Sequence, residues 1–172
     1  MFPSSSSSSN PRWIHDVFIN FRGKDTRRNI VSHLVAALTN AGINTYIDGM
    51  LHTGSELSPQ LSKAIENSHI SILVFSKNYT ESSWCLNELQ KVMECHKTHG
   101  QVVVPVFYDV DPSVVRHQKG DFGHFLRDTA KRVYFRQGGE EKMEHVLSNW
   151  RTALTQAANL SGWDVRSSRY TL

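Results

Sequence analysis

Two stretches decide the fold: Ile70-Ser71-Ile72-Leu73-Val74-Phe75, and Val102-Val103-Val104-Pro105-Val106-Phe107-Tyr108. Between them runs a helical pattern that starts near Ser83, buries Leu86, Leu89 and Met93, and ends near Gly100. The second stretch is almost wholly apolar, as strands are when helices cover both faces of their sheet. A strand, a helix and another strand at this spacing make a right-handed crossover with the strands parallel. Pro105 has no amide to give the ladder, so it predicts either a shortened strand or a place near an edge.

The same alternation extends towards the N-terminus. Asp16-Val17-Phe18-Ile19-Asn20-Phe21 is a compact strand bounded by Arg22-Gly23. Ile30, Leu34, Ala37, Leu38 and Ala41 then recur at helical spacing, with Gly42 placed to end the helix. Ile43-Asn44-Thr45-Tyr46-Ile47 reads as a second strand, followed by a loop over residues 48–57. Ser58-Pro59 supplies an N-cap and a first-turn proline for a helix carrying Leu61, Ala64 and Ile65.

Towards the C-terminus, Asp111-Pro112 stops the fourth strand, and a weaker helix follows over residues 121–133. After Gln137-Gly138-Gly139, a last helix from about Met143 to Leu160 sets Val146, Trp150, Leu154 and Ala158 on one face. The order predicts a doubly wound, open parallel sheet of four to five strands with helices on both faces. A fifth strand is expected, but no pattern places it. Residues 1–12 hold an unbroken serine run and have nothing to bury, so they read as a disordered leader before a domain at 13–165 and a short tail at 166–172.

Composition removes several function classes. The chain has 19 basic and 16 acidic residues, a charge of +3 that is too small to argue for nucleic acid. No apolar run approaches membrane-spanning length. A helix would hold Cys85 and Cys95 about 15 Å apart along its axis, beyond disulfide reach. Unpaired cysteines suit a reducing, cytoplasmic setting.

In an open α/β sheet the ligand crevice lies at the carboxyl ends of the strands. That rule selects Phe21-Arg22-Gly23, the loop from Asp48 to Gly54, residues 76–88, and residues 108–111. Trp84 and Glu88, four apart at a helix start, share one stripe and make a cradle for a flat or cationic ligand. By pattern alone, a core tryptophan beside a solvated acid is the commoner arrangement. Asp109 and Asp111 read more simply as a turn than as metal ligands, His96 and His99 lack a third ligand, and Cys85 is by default a buried thiol. Ser32-His33 reads as an exposed helix face. Strand three ends in Ser76, where a phosphoacceptor receiver would need an aspartate, and no phosphate-binding loop of a flavin carrier follows strand one.

Taken in order, several motifs resemble the TIR domains of plant intracellular immune receptors. They are Asp16-Val17-Phe18-Ile19-Asn20-Phe21-Arg22-Gly23-Lys24-Asp25-Thr26-Arg27, Ser58-Pro59, Ala64-Ile65-Glu66-Asn67-Ser68, Ser82-Ser83-Trp84-Cys85-Leu86-Asn87-Glu88-Leu89, Pro105-Val106-Phe107-Tyr108-Asp109-Val110-Asp111-Pro112-Ser113, and Trp150-Arg151-Thr152-Ala153-Leu154 with Ala157-Ala158-Asn159-Leu160-Ser161-Gly162-Trp163. The resemblance implies a flavodoxin-like fold and cleavage of the nicotinamide–ribose bond of NAD⁺ or NADP⁺ as substrate, with no tightly bound cofactor or metal. It makes Glu88 the catalytic carboxylate, expected to stay ionised beside a helix N-terminus. Phe21, Arg22, Gly23, Asp48, Ser83 and Trp84 become substrate-binding residues, with Arg22 available to a phosphate.

Ser32 and His33 match the family's self-association motif, so other TIR domains are the implied partners; membrane and nucleic acid are not. Two departures stand out: Lys24 replaces the family's usual acid, and His52-Thr53-Gly54 lacks a permanently charged residue. They keep a second reading open, a non-catalytic homotypic interaction module for defence signalling. Full receptors of this family continue into a nucleotide-binding module and leucine-rich repeats, and the sequence leaves open whether this chain is a fragment of one. A cytoplasmic or nucleo-cytoplasmic location is expected.

Overall fold

The computed structural model describes residues 13–48 and 56–166. The serine-rich leader, the strand-two loop with His52-Thr53-Gly54, and the tail from residue 167 lie outside the described residues.

The strands are β1 (His15–Phe21), β2 (Thr45–Ile47), β3 (Ser68–Phe75), β4 (Val102–Tyr108) and β5 (Trp163–Val165). All neighbours pair in parallel, in the order β2-β1-β3-β4-β5. This is the flavodoxin-like sheet that the two apolar strands predict. The chain changes direction across the sheet between β1 and β3, so their carboxyl ends frame the crevice.

Side chains of β1 alternate between two cores. Val17, Ile19 and Phe21 pack with Ile72, Val74 and Val106 on one face, where Val31, Leu34, Val35 and Leu38 cover them. Those covering residues belong to an irregular helical run: α1 (Gly23–Thr26), a wide turn over Arg27–Val31, and α2 (Ser32–Asn40). The run starts directly after β1, ahead of the first periodic apolar residue, and its backbone departs from helical values at Asn29.

Phe18 points to the opposite face, into the larger core. There α3 (Pro59–Glu66) supplies Leu61 and Ile65, and α4 (Ser83–His99) supplies Leu86, Leu89 and Val92. Ser58 caps α3 by accepting from the Leu61 amide at 3.2 Å, with Pro59 in its first turn, as the sequence predicts. Gly100 ends α4 in the left-handed conformation, φ 68°.

Asp111-Pro112 stops β4 but also starts a helix that periodicity alone did not reveal: Asp111 caps α5 (Pro112–His117) by accepting from the Ser113 amide at 2.8 Å. Beyond it, α6 (Gly120–Ala158) is broken at Gly138 and Gly139, so it is two helices meeting at the expected glycine pair. Its second half buries Trp150 completely. The Trp150 indole donates to Asn87 Oδ1 at 3.0 Å and ties α6 to α4.

The fifth strand is the three residues of β5, with Trp163 64 % exposed, too short and too exposed for an alternation signal. It also explains Pro105, which is paired with Leu73 in the middle of β4. A Cβ added at Gly162 would lie 2.0 Å from the Pro105 carbonyl oxygen, so that carbonyl faces the β5 side. The ring nitrogen of an extended residue faces the same way. β5 pairs only from Val106 onward, so no ladder bond to β3 is lost.

Replacing Gly162 with alanine should therefore push β5 off β4 and cost about 2–3 kcal/mol in urea unfolding. Gly100→Ala, which meets nothing within 4 Å and strains only the backbone, should cost about 1 kcal/mol in the same measurement.

Candidate functional site

The carboxyl ends of β1 and β2, the segment after β3 and the first turns of α4 surround a cavity of about 540 Å³. Phe21, Arg22, Gly23, Asp48, Ser83, Trp84 and Glu88, all singled out from sequence, line this one cavity. The segment after β4 does not reach it. Asp111 is spent as the α5 cap and faces Arg166 at 3.8 Å. His96 donates from Nδ1 to the Gln101 carbonyl, 2.7 Å away, at the far end of α4.

Glu88 sits at the floor, 3 % exposed. Its Oε1 accepts from Asn20 Nδ2 at 3.3 Å, and its Oε2 has no hydrogen-bond partner among the described residues. Burial, and then the nearby Asp48 carboxylate, push its pKa well above the ordinary glutamate range; the Asn20 bond pulls only weakly the other way. This direction runs against the expectation of an ionised acid beside a helix N-terminus. Ser82 is the cap, which leaves Glu88 beyond the first turn where the free amides lie. Burial therefore favours the uncharged form of Glu88.

Trp84 stands one turn before Glu88 on the same face of α4, and its indole donates to Asp48 Oδ2 at 3.0 Å. That bond joins the ends of β2 and α4 across the cavity. Ser83 occupies the first turn of α4, beside the capping Ser82, whose Oγ accepts from the Cys85 amide at 3.2 Å.

Arg22 is in the wall, but it is already engaged. It donates to Asp25 Oδ1 at 2.5 Å and to Glu81 Oε2 at 2.9 Å. Asp25 in turn accepts from Ser76 Oγ at 2.7 Å. The guanidinium thus joins the ends of β1 and β3, so Arg22 stands in the cavity wall with its charge already partnered by two carboxylates.

Cys85 is buried, donates its thiol to the Phe21 carbonyl at 3.3 Å, and has a pKa pushed up to about 12 by burial and by Glu88. A thiol so far from ionisation is no nucleophile. Ser32 and His33 are exposed on α2, away from the cavity; the Ser32 hydroxyl donates to the Asn29 carbonyl at 2.9 Å.

The functional residue that sequence reasoning missed is Asn20. It is fully buried, donates to Glu88 and also to the Cys85 carbonyl at 3.2 Å, and its Oδ1 is bonded by the Tyr79 hydroxyl. The available signal was an amide on the inward face that Phe18 shares. Glu81, Arg27 and Arg132 also line the cavity. Arg132 comes from α6, so nothing local to the crevice motifs marks it.

Comparison with known proteins bears on the fold and the family. A family model described as "TIR domain" matches residues 14–171. The chain is 49 % identical over 173 residues to Disease resistance protein RPV1 of Vitis rotundifolia, covering 98 % of this chain and 12 % of that protein. It is 46 % identical over 159 residues to TMV resistance protein N of Nicotiana glutinosa, covering 92 % of this chain and 13 % of that one. Its fold is similar to the TIR domains in a structure of the activated Roq1 resistosome recognising the effector XopQ, with a TM-score of 0.76, 45 % identity and 87 % of each chain covered. The chain thus spans about an eighth of the length of the relatives it matches.

The raised pKa of Glu88 makes stability depend on pH. Above the unfolded glutamate pKa of 4.5 and below the raised folded value, the native state holds a proton that the unfolded state has lost, so stability falls as pH rises through that window. Glu88→Gln should remove this contribution, by up to about 1.4 kcal/mol per pH unit. Urea unfolding at pH 5 and pH 8 should show the variant gaining on the parent at the higher pH; parallel curves would remove the neutral acid. Asn20→Ala strands Glu88 Oε1 and leaves the Tyr79 hydroxyl only the Cys85 carbonyl, and should cost about 2–4 kcal/mol at either pH.

Proposed function

The chain belongs to the TIR domain family, with plant disease resistance proteins among its relatives, and from that premise we propose that it hydrolyses the nicotinamide–ribose bond of NAD⁺ or NADP⁺. The observation that carries this reading is the buried Glu88, with one unpartnered oxygen in a cavity walled by the Trp84 indole. An aromatic wall beside an acid suits a flat cationic ring, which nicotinamide is in the intact dinucleotide.

The chemistry asks little of the protein beyond this pair. The bond between ribose C1′ and the ring nitrogen breaks with its electron pair leaving on nicotinamide, which departs neutral and needs no proton. The ribose acquires oxocarbenium character, water adds at C1′, and one proton is released with ADP-ribose. A pyridinium ion entering the cavity supplies the counter-charge that Glu88 lacks, and so favours its ionised form. That carboxylate then stabilises the oxocarbenium-like centre, and its high intrinsic basicity suits it to take the proton of the attacking water. Asn20 holds Oε1 and leaves Oε2 for this work.

Signalling is the biological side of the proposal. The Roq1 TIR domains belong to an assembled resistosome, and we extend that to this chain: copies associate through α2, where Ser32 and His33 are exposed, and the products are ADP-ribose-type signals in plant defence. A cytoplasmic or nucleo-cytoplasmic setting is part of this reading, supported by the free thiols of Cys85 and Cys95. The second reading, a non-catalytic homotypic module, draws on Arg22, whose charge is already matched by Asp25 and Glu81.

Nicotinamide release from NAD⁺, followed over a range of protein concentrations, separates the two. The expected result is a rate that climbs more steeply than concentration, falls at least about 10²–10³-fold in Glu88→Ala, and loses its steepness in His33→Ala. Absence of cleavage by the parent even when tethered into assemblies would leave the module reading alone.

A further inference from the structure

The charge along the cavity changes sign from floor to rim. Glu88 is at the buried end, with Asp48 beside it. Lys24, Arg27 and Arg132 line the same cavity and are exposed. Among the described residues none of these three has a carboxylate within ion-pair distance, whereas Arg22 beside them has two. Arg27 is held over the Phe21 ring, 5.0 Å from its centroid. Arg132 gives one N–H to the Glu81 carbonyl at 3.1 Å, which fixes its position and leaves its charge unspent.

Lys24 and Arg132 also line an adjoining cavity of about 530 Å³, bordered by Phe125, Asp128 and the ion-paired Arg22 and Glu81. The rim is therefore continuous with room beyond the main site. The segment that carries it is well anchored: Thr80 donates to the Phe122 carbonyl at 2.7 Å, and Thr129 donates to the Thr80 carbonyl at 2.6 Å.

We propose that Lys24, Arg27 and Arg132 form a phosphate-binding rim that makes the site selective for a dinucleotide bearing a further phosphomonoester, NADP⁺ over NAD⁺. The inference rests on the cleavage reading for the class of its ligand. It follows from charge. With Arg22 neutralised, the diphosphate must be met by the exposed cations, and three exceed what its two singly charged phosphates need. A phosphomonoester adds about −1.5 to −2 charges and accepts charge-assisted hydrogen bonds from both amine and guanidinium donors. The adjoining cavity, with Lys24 and Arg132 on its border, gives it a place.

Two measurements test this. In the first, kcat/KM for NADP⁺ and for NAD⁺ is compared in the parent, Lys24→Glu, Arg132→Ala, and Lys97→Glu, the last making the same charge change at an exposed residue at the end of α4. The parent should prefer NADP⁺ by about tenfold or more, mainly through KM. Lys24→Glu and Arg132→Ala should each lower that preference about five- to tenfold, while Lys97→Glu should leave it as it is. An unchanged preference in Lys24→Glu, or an equal fall in Lys97→Glu, would overturn the rim while leaving cleavage intact.

In the second, calorimetry compares 2′-phospho-ADP-ribose with ADP-ribose on Glu88→Ala protein, which reads the rim without turnover. Tighter binding of the phosphorylated ligand, lost on adding Lys24→Glu, supports the rim even where no cleavage occurs. Equal binding of the two ligands sinks it.

Discussion

The site depends on one buried amide. Asn20 is the penultimate residue of β1, on the same face as the fully buried Phe18, and it gives both of its Nδ2 hydrogens to α4: one to the Cys85 carbonyl, one to Glu88. Its oxygen is taken by Tyr79, whose hydroxyl also lies 3.0 Å from the Cys85 carbonyl. A buried polar knot of this kind is stabilising only when every member is satisfied, because an orphaned amide in such a place costs more than its hydrogen bond contributes. The geometry therefore fixes the start of α4 against β1 in one register. Glu88 is the member left incomplete, through Oε2. An incomplete carboxyl inside an otherwise satisfied network is where a ligand has something to gain.

A second knot stands beside the first and has a different logic. Arg22, Asp25, Glu81 and Ser76 form a charged cluster at the ends of β1 and β3. The arginine side chain is only 16 % exposed, so its carboxylates cannot be removed one at a time without leaving charge in a poorly solvated place. The cluster closes one wall of the cavity and partners the charge of Arg22 within the protein. The positive charge facing solvent at the rim then comes from Lys24, Arg27 and Arg132.

Much of this was legible from sequence because the fold's rules are local. Apolar runs gave β3 and β4, and the crevice rule pointed to the residues that converge on the cavity. Glycine conformations placed the end of α4 and the break in α6. What escaped was either too short or too distant to leave a pattern. β5 has three residues and an exposed tryptophan, so no alternation could mark it. The hydrogen bond from Arg22 to Glu81 spans 59 positions and that from Asn20 to Glu88 spans 68, and neither has a local signature. The upward direction of the Glu88 pKa escaped for a related reason. Helix position suggested a favourable dipole, but depth in the core and the proximity of Asp48, itself delivered by another strand, decide the matter.

On the proposed reading, the neutral state of Glu88 is part of how the site distinguishes substrate from product. An unpaired buried carboxylate is costly, so burial favours the uncharged acid. The intact dinucleotide brings a positively charged ring to that acid and can be met by its ionised form. Once the bond breaks, nicotinamide is neutral, and after water has added at C1′ the proton returns the acid to its resting state. No counter-ion remains at the floor to hold either product there. The same argument separates floor from rim: the floor recognises a cation that exists only before reaction, whereas the rim recognises phosphates that survive it. Selectivity among dinucleotides then belongs to the rim, and the chemical step to the floor.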